Sequence, residues 1–122
     1  MDHNAAVQLL EAICRSVPVE RRHSAKSFHD AVDYALVQRG WTVYREHLAP
    51  HHGLRRRGLI DLVTTAPLRI GIELDNRIPR QKSLLKLREF EGLKMVVLRN
   101  AAARTWRQGD MVIIGCGELG KA

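Results

Sequence analysis

Residues 58–76 read Gly-Leu-Ile-Asp-Leu-Val-Thr-Thr-Ala-Pro-Leu-Arg-Ile-Gly-Ile-Glu-Leu-Asp-Asn. Two runs rich in β-branched and aliphatic residues flank a turn signal, Ala66-Pro67, and predict a hairpin with strands over 58–65 and 68–75. Each run carries an acid among apolar neighbours: Asp61 lies between Ile60 and Leu62, and Glu73 between Ile72 and Leu74, with Asp75 two residues on. An ionised carboxylate is costly to bury without a partner, so acids in core-like strands need a reason to be there. A hairpin brings Asp61 and Glu73 onto neighbouring strands, where two carboxylates can share one divalent cation. A hard ion such as Mg²⁺ takes oxygen ligands and keeps several waters, so these two acids and the backbone carbonyl of Leu74 suffice. A cation held there polarises a phosphodiester oxygen and acidifies water, and a nearby lysine positions that water or stabilises developing negative charge.

Upstream of the hairpin, residues 4–17 show a helical period in Val7, Leu10, Cys14 and Val17, widened by Leu9 and Ile13; Asn4 can cap the start and Pro18 ends it. Pro18–His23 reads as a connector. Ser24 is an N-cap for a second helix running to Arg39, with Phe28, Ala31, Val32, Ala35 and Leu36 on its apolar face and Gly40 as its stop. Residues 41–45, Trp-Thr-Val-Tyr-Arg, predict a short strand, and 48–57 an exposed, mobile loop.

Downstream, Asn76–Pro79 makes a loop, and Pro79 suits the first turn of a helix over 80–91. Leu84, Leu85, Leu87 and Phe90 form its apolar side, Lys82, Lys86 and Glu89 its polar side, and Gly92 its stop. Residues 94–99 predict an interior strand reached by a helical crossover, and 111–115 a last strand. Ala101–Gln108 has no clear period and fits one or two helical turns; Cys116–Ala122 is expected to fray. The expected architecture is an α/β domain with a mixed sheet, antiparallel neighbours first and a crossover afterwards.

With 122 residues the chain suits a single domain, and 45% hydrophobic and 27% charged residues mark it as globular. No run is long and apolar enough to span a bilayer, and the Met-Asp-His-Asn start lacks the basic and apolar regions of a signal peptide, so the expected compartment is the cytoplasm and no membrane partner is expected. Cys14 and Cys116 are then reduced, buried thiols. Twenty Lys and Arg against 13 Asp and Glu give a net charge of +7, which favours polyanionic partners, nucleic acid above all.

The order Gly-Leu-Ile-Asp-Leu-Val, short turn, Ile-Gly-Ile-Glu-Leu-Asp, lysine-bearing helix and apolar strand resembles the PD-(D/E)xK, restriction-endonuclease-like nuclease superfamily. Ser27-Phe-His-Asp-Ala-Val32 and Gly40-Trp-Thr-Val-Tyr-Arg45 are similar to the first helix and strand of small Holliday-junction-resolvase-like endonucleases. The resemblance covers residues 24–100 and implies an αβββαβ core, a central mixed sheet flanked by helices, preceded by an N-terminal helical extension over 1–23 and followed by a flexible tail over 116–122. It implies Mg²⁺ or Mn²⁺ as cofactor, Asp61 and Glu73 as metal ligands with Leu74 giving its carbonyl, and DNA as substrate. A homodimer or larger protein complex is implied because so small a domain covers only part of a duplex.

This chain departs from the family at Asp75, where the motif has its lysine. Three readings of that departure stand. Glu-x-Asp matches the variant in which a second acid serves as ligand or base; or the lysine has moved to the following helix as Lys82 or Lys86; or the chemistry has been lost. Where relatives carry a helix-one Glu, this chain has His29 or Asp30 as accessory candidates. Solvent exposure or a salt bridge to Arg77 is a competing account of Asp75.

Arg55, Arg56 and Arg57 in a Gly-flanked loop, with Arg77 and Arg80, are candidates for phosphate contacts beside the acids. His47, His51 and His52 form a rival cluster, without the spacing of a zinc site. No Gly-rich phosphate loop, dinucleotide glycine pattern or Ser-His-Asp motif occurs, which argues against NTPase, dehydrogenase and serine-hydrolase chemistry. The expectation is a divalent-metal-dependent DNA nuclease; the alternative is a catalytically inactive nuclease-like domain that binds nucleic acid or a protein partner.

Overall fold

The computed structural model describes residues 1–45 and 60–119. In chain order its elements are α1 (His3–Ser16), a 3₁₀ turn (Val19–Arg21), α2 (Ala25–Gln38), β1 (Thr42–Arg45), β2 (Leu62–Ala66), β3 (Ile70–Asp75), α3 (Gln81–Arg88), β4 (Leu93–Leu98), β5 (Thr105–Gln108) and β6 (Met111–Gly115). Among the described residues, six strands form one mixed sheet in the order β1-β2-β3-β4-β6-β5. β1, β2 and β3 are antiparallel neighbours; β3, β4 and β6 run parallel; β5 returns antiparallel on β6. The α/β class with a mixed sheet is therefore the observed architecture. No helix among the described residues is long and apolar enough to cross a membrane.

The sheet has two covered faces, and strand periodicity sorts side chains between them. Leu62, Ile70, Ile72, Leu74, Met95, Val97, Val112 and Ile114 face α1 and α2, meeting Leu10, Ile13, Phe28, Val32 and Leu36. Val63, Val96, Leu98 and Ile113 face the other way, with Leu87 of α3 and Phe90 just beyond it. Every residue of β3 is buried, as expected of a central strand covered on both sides. Gly71 leaves room for α3 to close: a Cβ there would lie 3.0 Å from Phe90 Cδ2 and 3.2 Å from Leu87 Cδ2.

Several local expectations are corrected. α1 is capped by Asp2, whose Oδ1 accepts from Ala5 N at 2.8 Å, so Asn4 is inside the helix rather than its cap. Ser24 does cap α2, accepting from Ser27 N at 3.1 Å, and Gly40 (φ +84°) follows in the left-handed region. Pro79 precedes the N-cap Arg80 instead of sitting in the first turn of α3, which ends at Arg88; Gly92 is required by the close approach of Arg69 O, 2.8 Å from where its Cβ would be. The 101–108 segment holds a strand, β5, where helical turns were expected. Residues 116–119 are tied down: Cys116 N, Gly117 N and Leu119 N donate to Leu98 O, Ala101 O and Asn100 Oδ1. Residues 120–122, and the loop expected over 48–57, lie outside the described residues.

Candidate active site

The antiparallel ladder between β2 and β3 ends at the Leu62–Ile72 pair. Beyond it the strands are joined by side chains. Asp61 Oδ2 accepts from Leu74 N at 2.8 Å, and Glu73 Oε2 accepts from Asp61 N at 2.9 Å. Each acid thus takes the place of a carbonyl in a rung that the strands no longer make. Leu74 N points toward β2, and in a strand the carbonyl of the same residue points the same way, so Leu74 O is directed to the Asp61 side. Asp61 and Glu73 are 7% and 0% exposed.

Two carboxylates this close in a covered site repel one another. Burial, then the charge of Asp61, pushes the Glu73 carboxyl up to about 7 from its usual 4.5, against the opposing pull of Lys86 and the Asp61 N–H. Lys86 Nζ lies 3.0 Å from Glu73 Oε1, and the lysine is 4% exposed. The helix period had put Lys86 on a solvated face. Instead the eight-residue α3 packs so that Ser83, Lys86 and Leu87 all turn inward, and Lys86 reaches the Glu73 carboxylate from the neighbouring layer. Lys82, one turn earlier, is exposed and makes no ion pair with the acids among the described residues.

Asp75 does something different from either acid. It is 2% exposed, its Oδ1 accepts from Arg80 Nε and Ser83 Oγ at 2.9 Å each, and its Oδ2 accepts from Arg80 N at 2.9 Å. Its carboxylate therefore pins the start of α3 to the end of β3, with Arg80 rather than Arg77 as its ionic partner. Arg77 is exposed on the loop between them.

On the α2 side, His29 Nε2 lies 3.8 Å from Asp61 Oδ2. Asp30 turns elsewhere: it pairs with Lys26 (3.2 Å) and Arg45 (3.0 Å), which hold its carboxyl below the usual range, Arg45 foremost. Of the two accessory candidates, only His29 is brought to the acids. A cleft of about 310 Å³ opens here, lined by Ala25, His29, Asp61, Leu74, Asp75, Asn76, Arg80 and Arg99. Arg99 and Ser83 were missed from the sequence. Ser83, eight residues after Asp75, had a readable signal in the helix period; Arg99, at the end of an apolar strand, had none. Arg55, Arg56, Arg57, His47, His51 and His52 lie outside the described residues.

The donor set suits a hard cation. Glu73 Oε1 is buried with Lys86 Nζ 3.0 Å away, Asp61 contributes a second carboxylate, and Leu74 O is directed to the same side. Among the described residues no group of three or more His, Cys, Asp and Glu side chains is gathered closely enough to hold a metal ion, at this site or any other. A comparison with models of protein families, with curated proteins and with solved structures found no match for this chain.

Proposed function

We propose that this chain is a small, divalent-metal-dependent nuclease of the restriction-endonuclease-like kind, cleaving DNA phosphodiester bonds. The observation that carries the reading is the mutual bracing of Asp61 and Glu73 at the end of β2 and β3, with Lys86 3.0 Å from Glu73. The order α2-β1-β2-β3-α3-β4 agrees with the αβββαβ core of that superfamily, and the net charge of +7 suits a polyanionic substrate.

Asp61 and Glu73, with the Leu74 carbonyl, are the residues to hold Mg²⁺ or Mn²⁺. The ion, when bound, supplies Lewis-acid polarisation of a phosphoryl oxygen and acidifies water. Lys86 fills the role of the motif lysine from α3: its ammonium pulls Glu73 toward the ionised form against burial and the Asp61 charge, and stands where negative charge develops. Asp75, with both oxygens engaged by Arg80 and Ser83, positions α3 and hence Lys86. His29 orients Asp61 from the opposite layer. Arg77 and Arg80, with Arg55, Arg56 and Arg57, supply phosphate contacts.

The test is incubation with supercoiled, single-stranded and branched DNA in Mg²⁺ or Mn²⁺. Wild-type protein is expected to nick at least one substrate, and Asp61→Asn, Glu73→Gln and Lys86→Gln to slow cleavage by about 100-fold or more. Retained salt-sensitive binding without cleavage of any substrate would leave a silent nucleic-acid-binding domain. Cleavage that survives Asp61→Asn and Glu73→Gln together would place the chemistry elsewhere.

A further inference from the structure

Arg99 has no part in the metal site as drawn, yet its surroundings are unusual for an arginine. It directly follows β4, and its N–H donates to Asp75 O at 3.0 Å, which sets it beside the carboxyl end of β3. Its side chain lines the cleft with His29, Asp61, Asn76 and Arg80. Its Nε is buried without a hydrogen-bond partner, and it forms no ion pair among the described residues. The Asp75 carboxylate that lines the same cleft is already taken by Arg80 and Ser83. A buried donor without a partner calls for one, and a guanidinium holds five donors in a planar fork matched to oxyanions. Among the described residues nothing complements the Arg99 Nε.

We infer that Arg99 anchors a phosphate subsite in this cleft, with Arg80 and Asn76 at its rim. A planar carboxylate is satisfied by one arginine fork. Two guanidinium groups and an amide lining one small cleft suit instead a tetrahedral oxyanion, whose oxygens face several directions. The chemistry is shared by a phosphodiester of bound nucleic acid and by free phosphate. That the phosphate belongs to nucleic acid rests on the nuclease reading; the anion site itself rests on the Arg99 geometry.

The experiment titrates inorganic phosphate into ¹⁵N-labelled full chain in EDTA at constant ionic strength, with acetate as the comparison anion. Saturable shifts of the Asn76, Arg80 and Arg99 amides and of Arg99 Nε are expected with phosphate and not with acetate. Arg99→Gln is expected to weaken phosphate binding by about tenfold or more, as loss of hydrogen bonds to a charged group does, and Arg107→Gln, on exposed β5, to leave it unchanged. Arg99→Lys keeps the charge without the fork; an intermediate affinity there supports the site even if Arg99→Gln does not fold. Binding by Arg99→Gln within twofold of wild type, no saturable shift, or equal shifts with acetate would overturn the proposal. In the cleavage assay, a raised KM for Arg99→Gln supports a phosphodiester as the occupant, whereas unchanged kinetics overturn that assignment in favour of free phosphate. Saturable phosphate binding in a protein that cuts no DNA would remove the nuclease reading and leave the subsite standing.

Discussion

Glu73 is the residue whose charge state most directly couples the site to the fold. Its pKa of about 7 stands above the 4.5 of an unperturbed Glu, so between these values the folded chain holds a proton that the unfolded chain releases. Stability from this group is fully present below 4.5, is lost as the pH rises through about 7, and is level thereafter. Urea unfolding in EDTA is expected to show a decline on the order of 1 kcal/mol per pH unit across that window, and Glu73→Gln to abolish it; parallel curves for the two proteins would refute the assignment. Lys86→Gln removes the cation while Glu73 stays buried. Breaking a buried pair costs roughly 3–5 kcal/mol, and the loss should be larger at pH 8.5 than at 5.5, where Glu73 escapes by keeping its proton. Neither acid nor lysine could be assigned these roles from periodicity. The sequence showed polar residues at apolar strand positions, whereas burial and the reach of Lys86 across a layer depend on how α3 is seated.

At the scale of elements, α3 is the part whose placement decides the site, and Asp75 decides α3. Replacing Asp75 by Asn removes the charge and leaves Arg80 N without one of its acceptors. A loss of about 2–4 kcal/mol is expected, read by thermal or urea unfolding, with Ser83→Ala producing a smaller loss of the same kind. A second pinning point lies at Gly115, where an added Cβ would collide with Ala102 O. Gly115→Ala must move the 101–104 segment and so is expected to lower stability by about 1–3 kcal/mol, whereas Ala102→Ser, at an exposed position, should be nearly silent in the same assay. Helices α1 and α2 were legible because their apolar stripes repeat over 14 residues each. β5 was not: Thr105–Gln108 has little alternation of its own and becomes a strand because β6 offers it an edge. Asp2 and Asn4 are both cap residues by type, and only the path of the chain chose between them.

For the molecule as a whole, the net charge of +7 predicts binding to DNA that weakens steeply with salt. The log–log slope should reach several units, about 0.9 for each phosphate neutralised; a flat response in a fluorescence-polarisation titration would argue for a protein partner instead. Mg²⁺ is expected to raise the Tm of the wild type and not of Asp61→Asn with Glu73→Gln, since an ion that binds only the folded chain stabilises it by mass action. The Cys14 and Cys116 thiols are both buried, and the hydrogen bond between them, then burial, pushes Cys116 up, so neither should react with a thiol reagent before unfolding. By itself the sequence determined the helix stripes, the Ser24 cap, the hairpin around Ala66-Pro67 and the pairing of Asp61 with Glu73 on adjacent strands. These are local, set by period, cap and turn chemistry within a few residues. Only the tertiary structure decided that Lys86 rather than Lys82 meets Glu73, that Asp75 holds α3, and that Arg99 opens into the cleft. Each of these depends on which layer a helix packs against and where parallel strands end, and those choices are made by how α3 and the strands seat against one another, not by the period of any one segment.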